Sequence, residues 1–350
     1  MNDIVSMDVF RQDAFSATNM TAGIDREGYV PTLLAQIPDL FVPPPLGQPS
    51  SKWIFVEERD NEPVLIQTSP RGAEPSMGRT DEPSRKVTPF QVPRLFRSRR
   101  ITASEVAGIR AYGQTSVMQS LDMMVARKQY LIQKDMALTW EHMRIGAVQG
   151  KVLDADGSTI YDYAAQFNQA IPAEVTWVLS PSTDDGTIRT HCSVVRRGIV
   201  RALKGMGGNA VTVHGLASDT FWDALMASAE VRHTYQYAMQ ATKLQENAAW
   251  QSFSYGGIMF WNYRGTDDNS AVAVPAGKCK FFPAGAGIFQ EVFAPADERF
   301  EFVNTPGQEA YCWIVLDEKR NMWADVEMYS YPLFMCTQPS ALASAGFSLS

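Results

Sequence analysis

The chain has 350 residues, of which 45% are hydrophobic and 20% are charged, and its formal net charge is −7. These values are typical of a folded protein with enough length for a large core, and they fit two domains. The acidic balance argues against a general polyanion-binding protein, because phosphate neutralisation needs clustered Lys and Arg. No segment approaches the roughly 20 apolar residues of a membrane-spanning helix. The amino terminus lacks the apolar stretch of a signal peptide, so we expect synthesis in the cytoplasm.

The first hundred residues contain no predicted core of their own. Residues 1–50 are rich in Gly, Pro and polar residues, which indicates an extended arm that must find its packing partner elsewhere. Two β-type runs follow, Trp53–Val56 and Val64–Ile66, with an Asp–Asn pair between them that is typical of a turn. A third β-type run, Val87–Leu95, leads back towards the core. Residues 51–100 are too polar and too long for an ordinary connection, and we interpret them as a projecting loop.

Charge is unevenly distributed along this predicted loop. Four acids and one arginine lie within Glu57–Glu62, whereas seven bases and two acids lie within Arg79–Arg100. The basic run is interleaved with Pro, Leu and Phe, which favours contact with a protein surface over contact with nucleic acid. If the loop reaches over a neighbouring copy, its acidic end can meet a basic surface there. The hypothesis of an inter-subunit contact names eight residues: Glu57, Glu58, Asp60, Glu62, Arg94, Arg97, Arg99 and Arg100.

One long helix is predicted over Ser116–Gln149. Apolar residues recur along it at steps of three and four, and no proline interrupts it. Its first residue and Gln119 form a capping-box pair, and Gly150 follows its end, where a left-handed residue is favoured. Such a helix spans roughly 50 Å, so we interpret it as a strut. We expect its polar face, with Glu141 and Arg144 one turn apart, to be exposed to solvent.

The segment after the helix predicts a tight hairpin. Asp154–Gly157 has turn chemistry and lies between two β-prone arms. Its two acids resemble a fragment of a calcium loop, but the third acid and the closing Glu are missing, so we interpret it as a plain turn. From about residue 173 the pattern changes to alternating helices and strands, including a helical stripe from Ile188 to Leu203 that ends in three glycines. The last dozen residues are rich in Ser and Ala and are predicted to form a loose tail.

No motif in the chain has a catalytic context. The four cysteines lack the spacing of a metal site and are expected to be buried free thiols. The four histidines are dispersed, and we assign them structural roles. The Gly205–Gly208 run follows a helix rather than a strand, so we interpret it as a helix stop and not as a dinucleotide fingerprint. Acid pairs at 184–185 and 267–268 are interpreted as turns. No cofactor, metal or catalytic residue is predicted.

An arm without a core, a charged loop, a long strut and a mixed body together indicate a subunit that completes itself in an assembly. The chain resembles the major capsid proteins of the phage lambda protein E family over nearly its whole length. The most specific piece is the run Gly150–Thr159 after the long helix. The other matching pieces are Arg71–Ala73, Pro75, Phe90, Val92–Pro93, Ile101–Ala103, Glu105–Val106, Arg110–Gly113, Val148, Tyr255–Ile258, Pro275–Gly277, Phe281–Pro283 and Phe293–Asp297. The arm departs from the family at Ile24–Gly28, where an Asn–Pro pattern is expected.

The resemblance implies an α+β fold, the tailed-phage major capsid fold of the Hong Kong 97 type. It divides the chain into an N-terminal arm (1–50), an extended β-hairpin loop (51–100), a peripheral domain with a spine helix and hairpin (101–172), a mixed α/β axial domain (173–310), and strands that return to the peripheral domain before a tail (311–350). It implies no enzymatic activity, but self-assembly into the icosahedral shell around the double-stranded DNA genome. The implied partners are copies of the chain in hexamers and pentamers, a scaffold or head maturation protease, a portal, a possible decoration protein, and packaged DNA without sequence-specific contact. The arm and the loop would overlap neighbouring subunits.

Two alternatives remain at this point. One is a related shell or compartment protein that does not package a genome. The other, from a different class, is a soluble α/β hydrolytic enzyme whose carboxylates are brought together by the fold. Particle size separates the two shell proteins from the enzyme, because an enzyme of this length would form a small oligomer.

Overall fold

The computed structural model describes residues 33–59, 85–107, 117–182, 186–239, 252–263 and 273–349. Its helices are α1 (Leu33–Gln36), α2 (Ala103–Ala107), α3 (Val117–Gln149), α4 (Tyr163–Phe167), α5 (Thr187–Ala202), α6 (Asp219–Ala227) and α7 (Ala229–Met239). Its first eight strands are β1 (Phe41–Val42), β2 (Trp53–Arg59), β3 (Arg85–Gln91), β4 (Leu95–Thr102), β5 (Lys151–Leu153), β6 (Thr159–Asp162), β7 (Val175–Val178) and β8 (Thr212–Ala217). The others are β9 (Ser252–Tyr255), β10 (Ile258–Asn262), β11 (Lys278–Ala284), β12 (Phe289–Phe293), β13 (Tyr311–Leu316), β14 (Trp323–Ser330), β15 (Pro332–Cys336) and β16 (Ala343–Ser348).

The strands form sheets that join distant parts of the chain. A six-stranded mixed sheet has the order β7-β16-β11-β8-β10-β9, and three-stranded sheets have the orders β13-β14-β4 and β1-β12-β15. Two ribbons of two strands, β2-β3 and β5-β6, complete the described sheets. The core runs continuously through these layers, and its largest fully buried side chains include Trp140 in α3 and Trp177 in β7.

Helix α3 confirms the predicted long helix, because it runs without a break for 33 residues. Its buried face carries Ile132, Met136 and Trp140. Gly150 ends it with φ +84°, and its N–H donates to the carbonyl of Ala147 at 3.1 Å. Near the end, a Cβ added to Gly146 would lie 2.6 Å from the Lys151 carbonyl oxygen. A glycine is therefore needed for β5 to fold back against the helix.

The predicted hairpin after α3 is confirmed as the antiparallel pair β5-β6. The Asp154 N–H donates to the Ser158 carbonyl at 2.8 Å, and the Gly157 N–H donates to the Asp154 carbonyl at 3.0 Å. The side chain of Asp156 accepts from the Ser158 N–H at 2.8 Å. The side chain of Asp154 accepts from the Ala155 N–H at 2.7 Å. Both carboxylates of the turn therefore hold backbone amides, as the turn interpretation requires.

The polar face of α3 was predicted wrongly. Glu141 and Arg144 are 4% and 2% exposed, so they lie inside the molecule and not against solvent. The reason is that α1 and β12 cover this side of the helix. Arg144 Nη2 lies 2.8 Å from Glu291 Oε1 in β12, and the N–H of Leu34 in α1 donates to Glu141 Oε1 at 3.2 Å.

The described part of the N-terminal arm packs on the chain's own body. Leu34, Ile37 and Leu40 are buried, and β1 pairs in parallel with β12, with Phe41 opposite Phe289. The partner that this coreless segment needs is thus supplied by distant parts of the same subunit for residues 33–50. The rest of the predicted arm lies outside the described residues.

The predicted loop, residues 51–100, contains a ribbon, but its last residues lie in β4 of the β13-β14-β4 sheet and do not project from the body. Strand β2 pairs with β3, with Trp53 opposite Gln91 and Arg59 opposite Arg85. The sequence instead suggested that the run at 53–56 meets the run at 64–66 across the Asp–Asn turn. That second run and the turn lie outside the described residues, so this pairing stays a prediction.

Helix α5 confirms the predicted apolar stripe, because Ile188, Cys192 and Ile199 are buried on one side of it. The glycines that follow adopt positive φ angles, +91° at Gly205 and +75° at Gly207, as the helix-stop interpretation requires. Beyond them, β8 lies at the centre of the six-stranded sheet, between β10 and β11.

The loose tail was also predicted wrongly. Residues 343–348 form β16, which lies inside the six-stranded sheet between β7 and β11. Ala345 is fully buried, opposite Cys279 of β11 and Val175 of β7. Small side chains suit this strand because large buried rings lie in its neighbour, where Phe281 of β11 is opposite Ala343. The end of the 311–350 segment therefore joins the sheet of the 173–310 segment.

Candidate inter-subunit surface

The β2-β3 ribbon has one buried face and one exposed apolar face. On the buried face, the ring of Phe90 lies 5.3 Å from that of Tyr161 and 5.5 Å from that of Phe167. On the opposite face, Trp53, Phe55 and Val87 are 43%, 66% and 53% exposed. A strand buries alternate residues, so a ribbon packed on one side is expected to place polar groups on the other. Three large apolar groups on the outer face indicate a surface that another molecule covers.

Two of the predicted acidic residues, Glu57 and Glu58, lie in strand β2 of this ribbon. Glu57 is exposed in β2, on the same face as Phe55 and opposite Val87. The backbone of Glu58 pairs with Lys86, but its side chain is outside the described part of the structure. Asp60 and Glu62 lie outside the described residues altogether.

The four predicted arginines lie in or beside β4, and each is paired with a carboxylate of the same chain. Arg97 and Arg99 both reach Asp135 on α3, at 3.3 Å and 2.9 Å. Arg100 makes a bidentate pair with Asp325 on β14, with both N–O distances at 2.9 Å. This hydrogen-bonded pairing raises the pKa of Arg100 above its usual value, so the guanidinium stays charged.

The fourth arginine, Arg94, forms an ion pair with Glu298 at 3.1 Å. Its guanidinium also lies over the ring of Tyr329, 5.0 Å from the centroid, and over that of Phe96 at 5.5 Å. Phe96 is itself 46% exposed. This surface of the β13-β14-β4 sheet is therefore made of aromatic rings with arginines stacked on them.

Among the described residues, the structure does not bring the acidic and basic groups of the loop together. The arginines form ion pairs with Asp135, Asp325 and Glu298 instead, and none of these acids belongs to the loop. The prediction that the acidic end meets a basic surface of a neighbouring copy is left as a prediction. To take part in such a contact between copies, an arginine of β4 would have to bind a second carboxylate or leave the one that it binds now.

A buried polar network in α3 is the site that sequence reasoning missed. Glu141 Oε1 accepts from the N–H of Leu34 and from the hydroxyl of Tyr263, both at 3.2 Å. Burial, together with the Glu141 charge, raises the pKa of Tyr263, which keeps its hydroxyl protonated as a donor. Arg144 lies between Glu141 at 4.0 Å and Glu291 at 2.8 Å. The network thus ties the arm, the long helix, β12 and the end of β10 together.

The described residues offer no metal-binding or membrane-spanning feature. No group of three or more His, Cys, Asp or Glu side chains within these ranges is placed to hold a metal ion. No helix in the described ranges is long and apolar enough to cross a membrane. Cys192, Cys279, Cys312 and Cys336 are buried free thiols, as predicted. Both acid pairs that were interpreted as turns, 184–185 and 267–268, lie outside the described residues.

The chain is similar in sequence to two phage major capsid proteins and in fold to a chain of a phage capsid. The major capsid protein of Pseudomonas phage KPP10 is 28% identical over 287 residues, covering 76% of this chain and 79% of its own. The major capsid protein of Salmonella phage Felix O1 is 25% identical over 276 residues, covering 69% of this chain and 73% of its own. A chain from the mature capsid of bacteriophage PhiM1 superposes with a TM-score of 0.52 at 11% identity, covering 92% of this chain and 89% of that chain. This superposition confirms the predicted tailed-phage capsid fold, with its mixed helices and strands.

The family model described as "Phage major capsid protein E" matches residues 16–347, which is almost the whole chain. The match extends from within the arm through the long helix to the last strand of the six-stranded sheet. It confirms the family that the sequence motifs indicated. The chain therefore belongs to the phage major capsid protein E family and is a structural protein of a phage virion, not an enzyme.

Proposed function

We propose that many copies of this subunit assemble, as hexamers and pentamers, into a closed icosahedral shell around a double-stranded DNA genome. The observation that carries the proposal is the exposed apolar face of the β2-β3 ribbon, formed by Trp53, Phe55 and Val87. Burying one such side chain fully stabilises a contact by about 1.5–3 kcal/mol. A neighbouring copy that covers this face gains that free energy at every repeat of the contact. Family membership supports the assembly as a whole.

We propose the following division of labour within the subunit. Residues 51–100 reach over a neighbour, residues 101–172 with α3 form the peripheral domain, and residues 173–310 form the axial domain around the hexamer and pentamer centres. The unbroken length of α3 supports its role as the spine. The last strand, β16, belongs with the axial sheet because it pairs with β7 and β11 there.

The eight charged loop residues serve assembly in this proposal as an electrostatic supplement to the apolar contact. Glu57 lies on the same ribbon face as Phe55, so an acid borders the apolar surface. The β4 arginines hold their ion pairs at partly exposed positions, with 60% of the Arg97 side chain accessible. Exposed pairs of this kind contribute only about 0.2–1 kcal/mol each. They tune the contact, whereas the apolar face supplies most of its stability.

Family membership supports a proposal of further partners. A scaffold or head maturation protease would control assembly, a portal would admit the genome, and a decoration protein would bind the finished shell. Assembly would take place in the cytoplasm of the host.

The test places one charge on the apolar face. Phe55→Glu should leave the subunit folded, since residue 55 is 66% exposed, yet greatly reduce the yield of shells because a carboxylate would have to be buried in the contact. Leu46→Glu is the matched control, since Leu46 is fully exposed in the loop before β2. Circular dichroism monitors folding, and sedimentation measures the yield of particles. Normal shells from Phe55→Glu would overturn the assignment of this face.

A further inference from the structure

Helix α5 carries an unusual concentration of positive charge. Residues 187–204 contain Arg189, Arg196, Arg197, Arg201 and Lys204 and not one Asp or Glu. The whole chain has a net charge of −7, so the charge of this segment is opposite in sign to the net charge of the chain. The four arginines are exposed. Arg197 and Arg201 lie on the side of α5 opposite the buried Ile188, Cys192 and Ile199, whereas Arg189 and Arg196 lie along one edge of the buried side. Together they form a basic stripe along a helix of roughly 24 Å.

This stripe differs from the arginines of β4 in having no counter-charge. In the described ranges, no ion pair reaches the guanidinium groups of Arg189, Arg196, Arg197 or Arg201. Each β4 arginine, in contrast, is neutralised by an acid of its own chain. Cations left unpaired on a folded surface are available to an anion from outside.

The stripe is also held rigidly. The N–H groups of Ile188 and Arg189 donate to the two carboxylate oxygens of Glu230, at 2.9 Å and 3.0 Å. Glu230 is 5% exposed and also accepts from the hydroxyl of Tyr255 at 2.6 Å. The buried side of the helix is anchored at Cys192, which is fully buried. The arginines therefore project from a fixed helix rather than from a loop.

We propose that α5 lines the interior of the assembled shell and binds the phosphate backbone of packaged duplex DNA, without reading its sequence. This inference rests on the proposed function, because it requires a shell that encloses DNA. Duplex DNA carries one negative charge per roughly 1.7 Å of its axis, so a helix of this length faces several phosphates. The guanidinium group suits this ligand because it binds phosphate oxygens in pairs. Val194 and Val200, which are 57% and 51% exposed between the arginines, add no charge that would oppose DNA.

A neighbouring copy of the chain is the less favoured occupant. It would need an acidic surface of matching length, and no described segment of 18 residues carries five acids without a base. The acids of the described surface are instead interspersed with bases or hold backbone amides, as Asp156 does. A regular polyanion matches an acid-free arginine stripe better than such a mixed surface does.

The test removes two charges from the stripe and two from another surface. Arg197→Gln with Arg201→Gln changes exposed positions to a residue with similar helix propensity, so α5 should remain folded. The control, Lys319→Gln with Arg320→Gln, removes the same charge from the exposed turn between β13 and β14. Unassembled subunits of each variant are titrated with a 30-base-pair duplex at several salt concentrations. DNA content is then measured in particles that have packaged their genome.

We expect the Arg197/Arg201 variant to form shells but to bind the duplex roughly tenfold more weakly at 0.1 M salt, with a salt slope reduced by about 2. The control should bind like the parent. Equal losses in both variants would show an effect of net charge alone and would overturn the proposal. Unchanged DNA binding would also overturn it, and if shells then failed to form, α5 would be assigned to a contact between copies. Failure of the parent chain itself to form shells would refute the proposed function instead.

Discussion

The buried charges of α3 dominate the electrostatics of this subunit at the scale of single residues. Removing a guanidinium and a carboxylate from water is costly, and the cost is offset only where the charges are paired and hydrogen-bonded. Arg144 meets this condition through Glu291 at 2.8 Å and Glu141 at 4.0 Å. The three residues come from two elements far apart in sequence. Their pairing therefore makes the stability of the subunit depend on the correct docking of β12 against the helix.

Arg144→Leu should destabilise the subunit by about 3–5 kcal/mol, because it breaks a buried ion pair by removing the cation that Glu291 and Glu141 face. Arg97→Leu is the control, since its pair with Asp135 is exposed and should contribute no more than about 1 kcal/mol. The free energy of unfolding is measured by denaturant titration of unassembled subunits. Equal losses from the two substitutions would contradict the account of the network.

The thiols give a second residue-scale prediction. Burial raises the pKa of Cys192 and of Cys336 from 9.0 to about 12, so both remain protonated at neutral pH. Because the folded state then holds protons that the unfolded state releases, this contribution to stability is complete below pH 9 and is lost as pH rises from 9 to 12. A thiol reagent at pH 8 should label the native subunit slowly and all four cysteines after denaturation. Rapid labelling of the native protein would contradict the observed burial.

At the scale of elements, the features that were predicted correctly depend on neighbours in sequence. Helix α3 is specified by apolar spacing and by Gly150, and the β5-β6 hairpin by the turn at Asp154–Gly157. The buried charges of α3 could not be predicted with confidence, because their cover, β12, comes some 150 residues later. One signal was present: Ala137 and Val148, four residues on either side of the pair, are apolar and buried. That flanking pattern places Glu141 and Arg144 within the buried face.

The position of β16 could not be predicted from local pattern. The segment is rich in Ser, Ala and Gly, which have low strand propensity and are common in tails. Its pairing partners in β11 and β7 lie about 65 and 170 residues earlier in the sequence, and they fix its place in the sheet. Contacts over such separations depend on the whole fold. The site arginines Arg97, Arg99 and Arg100 show the same limit. They were assigned to the loop, but they lie in β4, whose sheet partner β14 comes more than 200 residues later.

Truncation after Leu342 tests the role of this last strand. It removes β16, through which β7 joins the six-stranded sheet, and it should give insoluble or unfolded protein. Truncation after Ser348 is the control, since it leaves the whole strand in place. Solubility and circular dichroism distinguish the outcomes. A soluble, folded subunit without β16 would contradict its position inside the sheet.

For the molecule as a whole, the charged ends of the loop should make assembly sensitive to ionic strength. Glu57→Lys with Glu58→Lys reverses the charge at the end of the β2-β3 ribbon. We expect a normally folded subunit whose particle yield falls at low salt and recovers partly as salt rises, because screening shortens the reach of the charges to about 10 Å at 0.1 M. Arg320→Glu, which alters an exposed turn outside the loop, is the control. A yield that is the same as the parent's at every salt concentration would remove the loop carboxylates from the assembly contact.

The central claim is that the subunit is complete only within a shell. Sedimentation of the purified full chain across a concentration series, followed by electron microscopy of the fastest fraction, tests it most directly. The account predicts very large closed particles, or capsomers of five and six copies that convert to particles when scaffold is supplied. A subunit that stays monomeric or dimeric at high concentration, with or without scaffold, would contradict it.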